Sequence, residues 1–454
     1  MKKHYHLIGI GGIGMGALAV LLLQKNNMVS GSDLHSNKVI EGLVKEGAKV
    51  AIGHKSENIE GADIVVYSSA IKNDNPEIIS AKKLGIPVMP RAKLLAQLIQ
   101  DHIAITVSGA HGKTTTTSML ANLLIKANLK PTIAIGGIMK NTETNANLGK
   151  SEYFVAELDE SDGSFLYFSP QYSVITNIDR EHMDFYGSWD NLLKAWEEFI
   201  GKTSPEGVIL ACGDDNNLLN LLKRGNRRYI TYGLTQINDI VAHNVSSREF
   251  GIRFDCFKEG KNLGEVNLNI PGRHNALNAM AVIGVGLELK IGFETIRKSL
   301  EQFKGVKRRL DIKGKGKGVT VIDDYGHHPT EIKATLEALK GMKKQRLITV
   351  FQPHRFSRLS DLMDEFSVCF NDTDHLIITD IYAASEKPLE NINASVLCDR
   401  IKKNGKEAVY LPKEKIIGFL LDFAKDGDIV LTLGAGDITK VSDDLVKVLK
   451  SSAD

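Results

Sequence analysis

The segment VSGAHGKTTTT, Val107 to Thr117, constrains this chain more than any other stretch, because it follows the apolar run Ile103 to Val107 and opens a helical pattern. A strand that turns through Gly-x-x-Gly-Lys-Thr into a helix gathers backbone N–H groups into an anion-binding nest at a helix N-terminus. Such a turn belongs to a parallel strand–helix–strand layer, in which ligands sit at the C-terminal ends of strands. Lys113 stands where a phosphate-loop lysine reaches the terminal phosphates, and Thr114 where the hydroxyl reaches magnesium. The position five before Gly112 is Val107 instead of glycine, so the spacing marks a narrower variant of the general loop. A plain glycine turn before a lysine-capped helix would not need two glycines, a lysine and four threonines at one strand-to-helix switch.

A second glycine loop, HLIGIGGIGMGALA from His6 to Ala19, fits Gly-x-Gly-x-x-Gly at Gly9, Gly11 and Gly14. Asp33 closes the next strand, MVSGSD, where a dinucleotide-binding fold places the acid that holds a ribose hydroxyl. Alone, the loop suggests an NAD-dependent oxidoreductase. The fingerprint reports only a pyrophosphate on a helix N-terminus, however, and a UDP-sugar satisfies that as well as NAD does. The downstream lysine loop tips the balance to a UDP-type ligand.

Length and charge bound the rest. At 454 residues the chain exceeds a single core and divides into roughly three domains. A formal net charge of +2 gives no electrostatic reason to expect nucleic acid or an anionic membrane as partner. The four cysteines, Cys212, Cys256, Cys369 and Cys398, lack the paired spacing of a zinc or redox site, which fits a reducing compartment. The apolar run Ala17 to Leu23 is far shorter than the roughly 20 residues of a membrane helix, so a cytoplasmic chain without membrane insertion is expected.

Short β-rich runs alternate with helical patterns throughout. The fold class expected is α/β in three domains: a Rossmann-like domain over 1–101, a central phosphate-loop ATPase domain with a mainly parallel sheet over 102–308, and a Rossmann-like C-terminal domain over 309–454. Strands are expected at HLIGI, MVSGSD and ADIVVYSSA, then at PTIAIGGI, YFVAELDES, YSVITNID, GVILACG and RRYITYG, with antiparallel segments from about 240 to 270. VTVIDDYG, RLITVFQ, HLIITDI and DIVLTLGAGD repeat the alternation in the last domain. Between the last two domains GVKRRLDIKGKGKG, from Gly305 to Gly318, is dense in glycine and cations and is expected to be a solvated linker, with a phosphate contact by Arg308 or Arg309 as the alternative.

Polar residues at strand ends carry the expected chemistry. Glu157 follows the run Tyr153 to Ala156, and His182 follows ITNIDRE. A phosphate loop requires a divalent cation, so Thr114, Glu157 and His182 are the metal candidates. His274 and Asn278 stand four apart at a helix start with Asn275 between them, a polar set that suits an adenine and ribose edge. Tyr325 and His327 in DDYGHHPTEI follow one strand, and Arg355 and Arg358 in FQPHRFSR follow another, three apart, as a fork for a carboxylate.

Together, GIGGIGMGALA, GAHGKTTTT, ELDESDGSF, TNIDREHMDFYG, GRHNALNA, GVKRRLDI, DDYGHHPTEI, FQPHRFSR and LGAGDI resemble the Mur ligase family over nearly the whole chain. Within it, DESDGSF and FQPHRFSR resemble the members that add alanine more than those that attach a whole tripeptide to the same sugar nucleotide. The resemblance implies an ATP-dependent, magnesium-dependent ligase joining L-alanine to the lactyl carboxylate of UDP-N-acetylmuramate, as monomer or homodimer. It implies that Gly109, Ala110, His111, Gly112, Lys113, Thr114 and Thr115, with His274, Asn275 and Asn278, bind ATP. Gly9, Gly11, Gly12, Gly14, Asp33 and Ser69 would face the UDP-sugar. Tyr325, His327, Arg355 and Arg358 would receive alanine, and Lys113, Glu157, His182 and His327 would be catalytic. Two positions depart from the family pattern: Glu181 replaces a usual aspartate and Lys93 a common glutamate. Lys194 and Glu197 are the nearest positions to a lysine that is carbamylated in sibling enzymes. An oxidoreductase and a nucleotide-gated binding protein remain the alternatives from other classes.

Overall fold

The computed structural model describes residues 2–248, 250–341, 346–384 and 386–451. Three sheets carry the three-domain α/β architecture. The first contains β1 (His4–Ile8), β2 (Met28–Asp33), β3 (Lys49–Ile52), β4 (Ile64–Tyr67) and β5 (Val88–Pro90) in the order β3-β2-β1-β4-β5. Every pairing in it is parallel, with helices as crossovers. β3 and β5 were not expected: at four and three residues they are too short to show a period.

The second sheet holds β6 (Ile103–Ser108), β7 (Thr132–Met139), β8 (Thr144–Asn147), β9 (Tyr153–Glu157), β10 (Tyr172–Ile175), β11 (Val208–Cys212), β12 (Tyr229–Gly233), β13 (Ile240–Arg248), β14 (Gly251–Lys258) and β15 (Lys261–Leu268). Its order is β15-β14-β13-β12-β11-β10-β6-β9-β7-β8, with a parallel centre and β8 antiparallel at one edge. β14 and β15 are joined through Glu259 and Gly260, both at positive φ (49° and 78°), the geometry of a two-residue hairpin turn. The antiparallel segments expected from 240 to 270 are thus three neighbouring strands.

The third sheet holds β16 (Asp311–Gly316), β17 (Val319–Asp324), β18 (Leu347–Phe351), β19 (His375–Ile378), β20 (Ala408–Tyr410) and β21 (Ile429–Leu433), ordered β16-β17-β21-β18-β19-β20. Here one expectation fails. Residues Asp311 to Gly316 of the supposed linker form β16, paired antiparallel to β17 from Asp311↔Asp323 to Gly316↔Val319. Its glycines serve packing: a Cβ on Gly314 or Gly316 would run into Val446 or Leu449 of the helix Thr439–Ser451. The alternating lysines mark a strand with one face against a helix and one face in water.

The chain packs as two compact units, one of Met1–His243, Asp255–Val266 and Leu277–Phe303, the other of Asn244–Phe254, Asn267–Ala276 and Lys304–Asp454. In the first, the helix Ile13–Gln24 is tied to the edge of the second sheet: Asn145 donates to the Ile13 carbonyl at 3.0 Å, and Leu148 N–H to the Gln24 side chain at 2.6 Å. Phe165 stacks on Phe199 at 4.8 Å and meets Trp196 edge-on, which fixes the turn that follows the acidic string ELDESD. All four cysteines are buried and unpaired, and burial pushes the Cys212 and Cys256 thiols up to about 12. Among the described residues no helix is long and apolar enough to cross a membrane.

Candidate active site

The Gly109–Gly112 turn follows β6 and feeds the helix Lys113–Lys126. Gly109 and Gly112 both have positive φ (133° and 82°), and a side chain on either would collide, with Thr176 Oγ1 and with Asn278 Oδ1 respectively. The loop is held by the segment after β10. Asn177 accepts the Ala110 N–H through its carbonyl at 3.1 Å and the His111 N–H through its side chain at 2.9 Å. Thr176 Oγ1 donates to the His111 carbonyl at 2.6 Å, and the His111 ring meets Asp179 at 2.8 Å. Thr115 is partly buried in the first helical turn.

Lys113 Nζ folds back over its own loop. It donates to the Gly109 and Ala110 carbonyls and to both Glu160 oxygens, at 2.9 and 3.0 Å. Burial disfavours its charge, but Glu160 and Asp159 outweigh that effect and hold its pKa above the ordinary lysine value. Glu160 responds the other way: burial pushes it up to about 7 despite Lys113. Glu157 sits beside this pair, accepting from Thr114 Oγ1 at 2.9 Å and from the Gly136 N–H at 2.8 Å.

His182 takes a left-handed backbone (φ 58°) that aims Nε2 at Glu160 and Glu181, 3.8 and 3.7 Å away. Glu160, Glu181 and His182 bring ligand atoms within 4.8 Å of one another. The structure therefore joins Thr114 to Glu157, and His182 to Glu160 and Glu181. Carboxylate and hydroxyl oxygens are the donor type magnesium takes, and Glu160, Glu181 and His182 already converge, so this set fits a divalent cation. Lys194 lies on the exposed side of the helix Trp189–Lys202, as does Glu197.

The first glycine loop sits between β1 and the helix Ile13–Gln24, with Gly12 as the helix N-cap. Asp33 does not point away to a ribose with both oxygens; its Oδ2 accepts the Gly11 N–H at 2.9 Å, while Asn37 donates to the Gly11 carbonyl at 3.1 Å. Gly9 (φ 79°) faces Ser68, whereas Ser69 is exposed beside it.

In the second unit, Tyr325 lies under two guanidinium groups, Arg308 at 4.9 Å and Arg309 at 5.2 Å from its ring centre. Arg308 also donates to the Gly434 and Gly436 carbonyls and faces buried Asp323 at 3.4 Å, so it is engaged within its own unit. Arg309 pairs with Glu331. His327 packs edge-on to Tyr325 and to His354, and His354 stacks on Tyr382. Burial, with Arg358 adding to it against Glu331, pushes His327 down to about 3; burial with Arg358 and Arg355 pushes His354 to about 4. Both rings are neutral at physiological pH. Arg358 donates to the His354 ring and carbonyl, at 3.1 and 3.3 Å, while Arg355 is held at φ 69°, ψ 140°. That conformation is strained for a side-chain-bearing residue, and such strain concentrates at functional sites. The expected fork is thus two arginines with different tethers.

His274 and Asn275 belong to the second unit and Asn278 to the first. Burial, then Arg309, pushes His274 down to about 4, and Asn275 donates to the Pro271 carbonyl at 2.6 Å. Asn278 lies against Gly112 of the phosphate loop.

Three family models match the chain in succession: the Mur ligase family catalytic domain over 4–103, the Mur ligase middle domain over 107–286, and the Mur ligase glutamate ligase domain over 308–436. The chain belongs to the Mur ligase family. Among its relatives, the UDP-N-acetylmuramate–L-alanine ligase of Geotalea daltonii is 46% identical over 99% of both chains, and that of Myxococcus xanthus is 44% identical over 98% of this chain and 95% of its own. The crystal structure of UDP-N-acetylmuramate-alanine ligase from Thermotoga maritima superposes with a TM-score of 0.87 at 30% identity, covering 99% of this chain and 100% of that one. A murein peptide ligase from Psychrobacter arcticus shares the fold at a TM-score of 0.75 and 23% identity, over 98% of both chains.

In this Mur ligase several site residues escaped the sequence argument. Glu160, Thr176, Asn177 and Asp179 all lie in strings that were singled out, ELDESD and TNIDRE, yet composition cannot tell which carboxylate of a run turns inward. The signal available was distance along the chain: each lies one to four residues past a strand end, where the backbone leaves the sheet.

Proposed function

We infer that this chain is an ATP-dependent, amide-forming ligase that joins L-alanine to the lactyl carboxylate of UDP-N-acetylmuramate, a step of peptidoglycan precursor synthesis carried out in the cytoplasm. The observation that carries the inference is Lys113 poised in a glycine loop against a buried carboxylate, on a chain alignable end to end with alanine-adding ligases. Carboxylate and amine do not condense unaided, because oxide is a poor leaving group. Transfer of the ATP γ-phosphoryl group to the carboxylate gives an acyl phosphate, from which the alanine nitrogen displaces phosphate and loses a proton.

The assignments that follow are this reading's own. Lys113 exchanges its Glu160 contact for the terminal phosphates and, with the loop N–H groups, offsets the charge that builds up in line. Thr114, Glu157 and His182, with Glu160 and Glu181 beside them, would hold magnesium, which would supply charge neutralisation there. Asn278 borders the phosphates, and His274 and Asn275 serve the nucleotide base. Arg355 and Arg358 orient the alanine carboxylate, and Tyr325 and His327 line the acceptor site. Neutral His327 leaves the amine unrepelled, and its low pKa suits brief proton passage better than proton storage. Domain boundaries at 101/102 and 308/309 go with these roles.

Phosphate release from ATP with UDP-N-acetylmuramate, comparing L-alanine, glycine, L-serine and an alanyl-glutamyl-diaminopimelate tripeptide, tests the inference. Release that needs the sugar nucleotide and is strongest with alanine supports it. Release with the tripeptide alone moves the chain to tripeptide attachment, and release indifferent to acceptors leaves a bare ATPase. Arg355→Ala raises the KM for alanine about tenfold with ATP affinity unchanged; an unaltered alanine KM removes Arg355 from the acceptor site.

A further inference from the structure

A string of polar side chains runs through the first sheet, away from the residues assigned to chemistry. His4 and His6 alternate along β1, and the ladder sets His6 beside Ser30 and Ile8 beside Ser32 of β2. Ser30 Oγ lies 2.8 Å from His4 Nε2 and 2.9 Å from His6 Nδ1. His6 Nε2 in turn faces Glu77 Oε2, 3.6 Å away, in the first turn of the helix Pro76–Lys83. His6 and Glu77 are 1% and 0% exposed, whereas His4 is only half-buried, so the string has one end near the surface.

The donors and acceptors along the string require one proton more than neutral rings supply. The Gly61 carbonyl can only accept, so His4 Nδ1, 2.7 Å from it, carries a hydrogen. With His4 neutral, its Nε2 is bare and takes the single Ser30 hydroxyl hydrogen. Ser30 then accepts from His6 Nδ1–H, and a neutral His6 turns a bare Nε2 on the carboxylate. One further proton, taken from solvent, puts an N–H there instead, whether the charge rests on His6 or, with the donor order through Ser30 reversed, on His4. His6 Nε2 makes no hydrogen bond among the described residues, so this ion pair is what satisfies it.

Glu77 is an ionised partner. Ser32 Oγ–H donates to its Oε2 at 2.6 Å, and the Lys55 N–H and the Asn58 amide donate to its Oε1. The Ser32 hydrogen is spent there, so Ser32 Oγ accepts from His54 Nδ1–H at 3.0 Å. Burial pushes the Glu77 carboxyl up, but His6, Ser32 and Asn58 outweigh that and hold it below the ordinary carboxylate value. Among the described residues no lysine or arginine nitrogen lies within 4.0 Å of it, and Asp63, which accepts the His4 N–H at 2.7 Å, adds negative charge at the far end. The offset comes from His6, His54 and the positive end of its own helix.

We propose that this string is a proton-operated latch: one proton held between His6 and Glu77 fixes the end of β2, and its loss in alkali loosens the Gly9–Gly14 loop and weakens the sugar-nucleotide complex. Without that proton a bare nitrogen and a carboxylate face each other out of water, a repulsion relieved only by movement of Glu77 or β1. Ser32 transmits the movement, because its side chain is bonded to Glu77 while its carbonyl accepts the Gly9 and Ile10 N–H groups. The effect on the sugar nucleotide rests on the ligase reading; the proton and the loop do not.

Nitrogen NMR of the full wild-type chain, labelled in histidine, reads the rings directly. His6 Nε2 is expected to bear hydrogen in acid and to be bare in alkali, with protection of the Gly9 and Ile10 amides against exchange falling over the same range. Calorimetric affinity for UDP-N-acetylmuramate should fall about tenfold between about pH 6.5 and about pH 8.5, with proton uptake on binding in buffers of different ionisation enthalpy. Glu77→Gln removes the carboxylate and His6→Gln offers an amide N–H at every pH, so both should flatten the affinity profile to within about twofold. A His6 Nε2 that is bare throughout, amide protection that does not follow it, or a profile equally steep in Glu77→Gln overturns the latch. Wild-type protein that fails to bind the sugar nucleotide at any pH overturns the ligase reading instead, and the ring and amide signals still decide the latch.

Discussion

Of the two glycine loops, Gly9–Gly14 is held by the end of β2 and the turn after it: the Ser32 carbonyl accepts the Gly9 and Ile10 N–H groups, Asp33 accepts the Gly11 N–H, and Asn37, which caps the helix Lys38–Lys45, donates to the Gly11 carbonyl. Gly109–Gly112 is laced by Thr176, Asn177, His111 and Asp179, and carries a lysine buried against Glu160. Both loops sit at a β-strand C-terminus and offer backbone N–H groups to an anion. The first has no cation within it; the second has one built in and locked to a carboxylate. A loop that only holds a ligand can rely on backbone N–H groups, whereas a loop that must stabilise moving charge needs a charged donor fixed beforehand.

The sharpest way to break that contrast is Lys113→Met, which should lower sugar-dependent phosphate release by at least about a thousandfold while calorimetric affinity for UDP-N-acetylmuramate stays within about twofold. Parallel loss of both would mean that the loops are not functionally separate. Next is Glu160→Gln, which leaves a buried ammonium facing an amide and should cost about 3 kcal/mol in urea unfolding, again without touching sugar-nucleotide affinity.

Acidity sharpens the comparison between units. Glu160 titrates in the folded chain near 7, above its unfolded value, so its contribution is present at low pH and is lost as pH rises from about 4.5 through 7. His274, His327 and His354 titrate near 4, 3 and 4, below the unfolded value, so theirs is present above about 6.5 and is lost as pH falls through 4. Melts between pH 4.5 and 7 should show the second unit losing a few kcal/mol on acidification, and His354→Gln should flatten that slope. The smallest effect is Asp33→Ala, which frees the Gly11 N–H and should raise the sugar-nucleotide KM about fivefold, leaving ATP unaffected.

Much of this molecule was legible in the sequence where a local rule was enough. MVSGSD is β2 residue for residue, and the strand-to-helix switch expected at the lysine loop is β6 followed by the helix Lys113–Lys126. KGKGKG was misjudged because glycine and lysine both signal loops, and only the partner, Val446 and Leu449 against Gly314 and Gly316, reveals a two-residue period. Glu160 and Arg308 were hidden for a related reason. Their partners lie 47 and 126 residues away, and no spacing rule spans such distances.

β16 has one further consequence. It is an outermost strand, with one row of backbone donors and acceptors open to any passing chain. Lys315 is exposed on it and Lys317 is exposed in the turn that follows, and Lys313, at a register shift in the ladder, pairs with Asp443 at 2.6 Å. The run that looked like a tether is a charged guard rail: its lysines disfavour edge-to-edge pairing of this sheet with another chain.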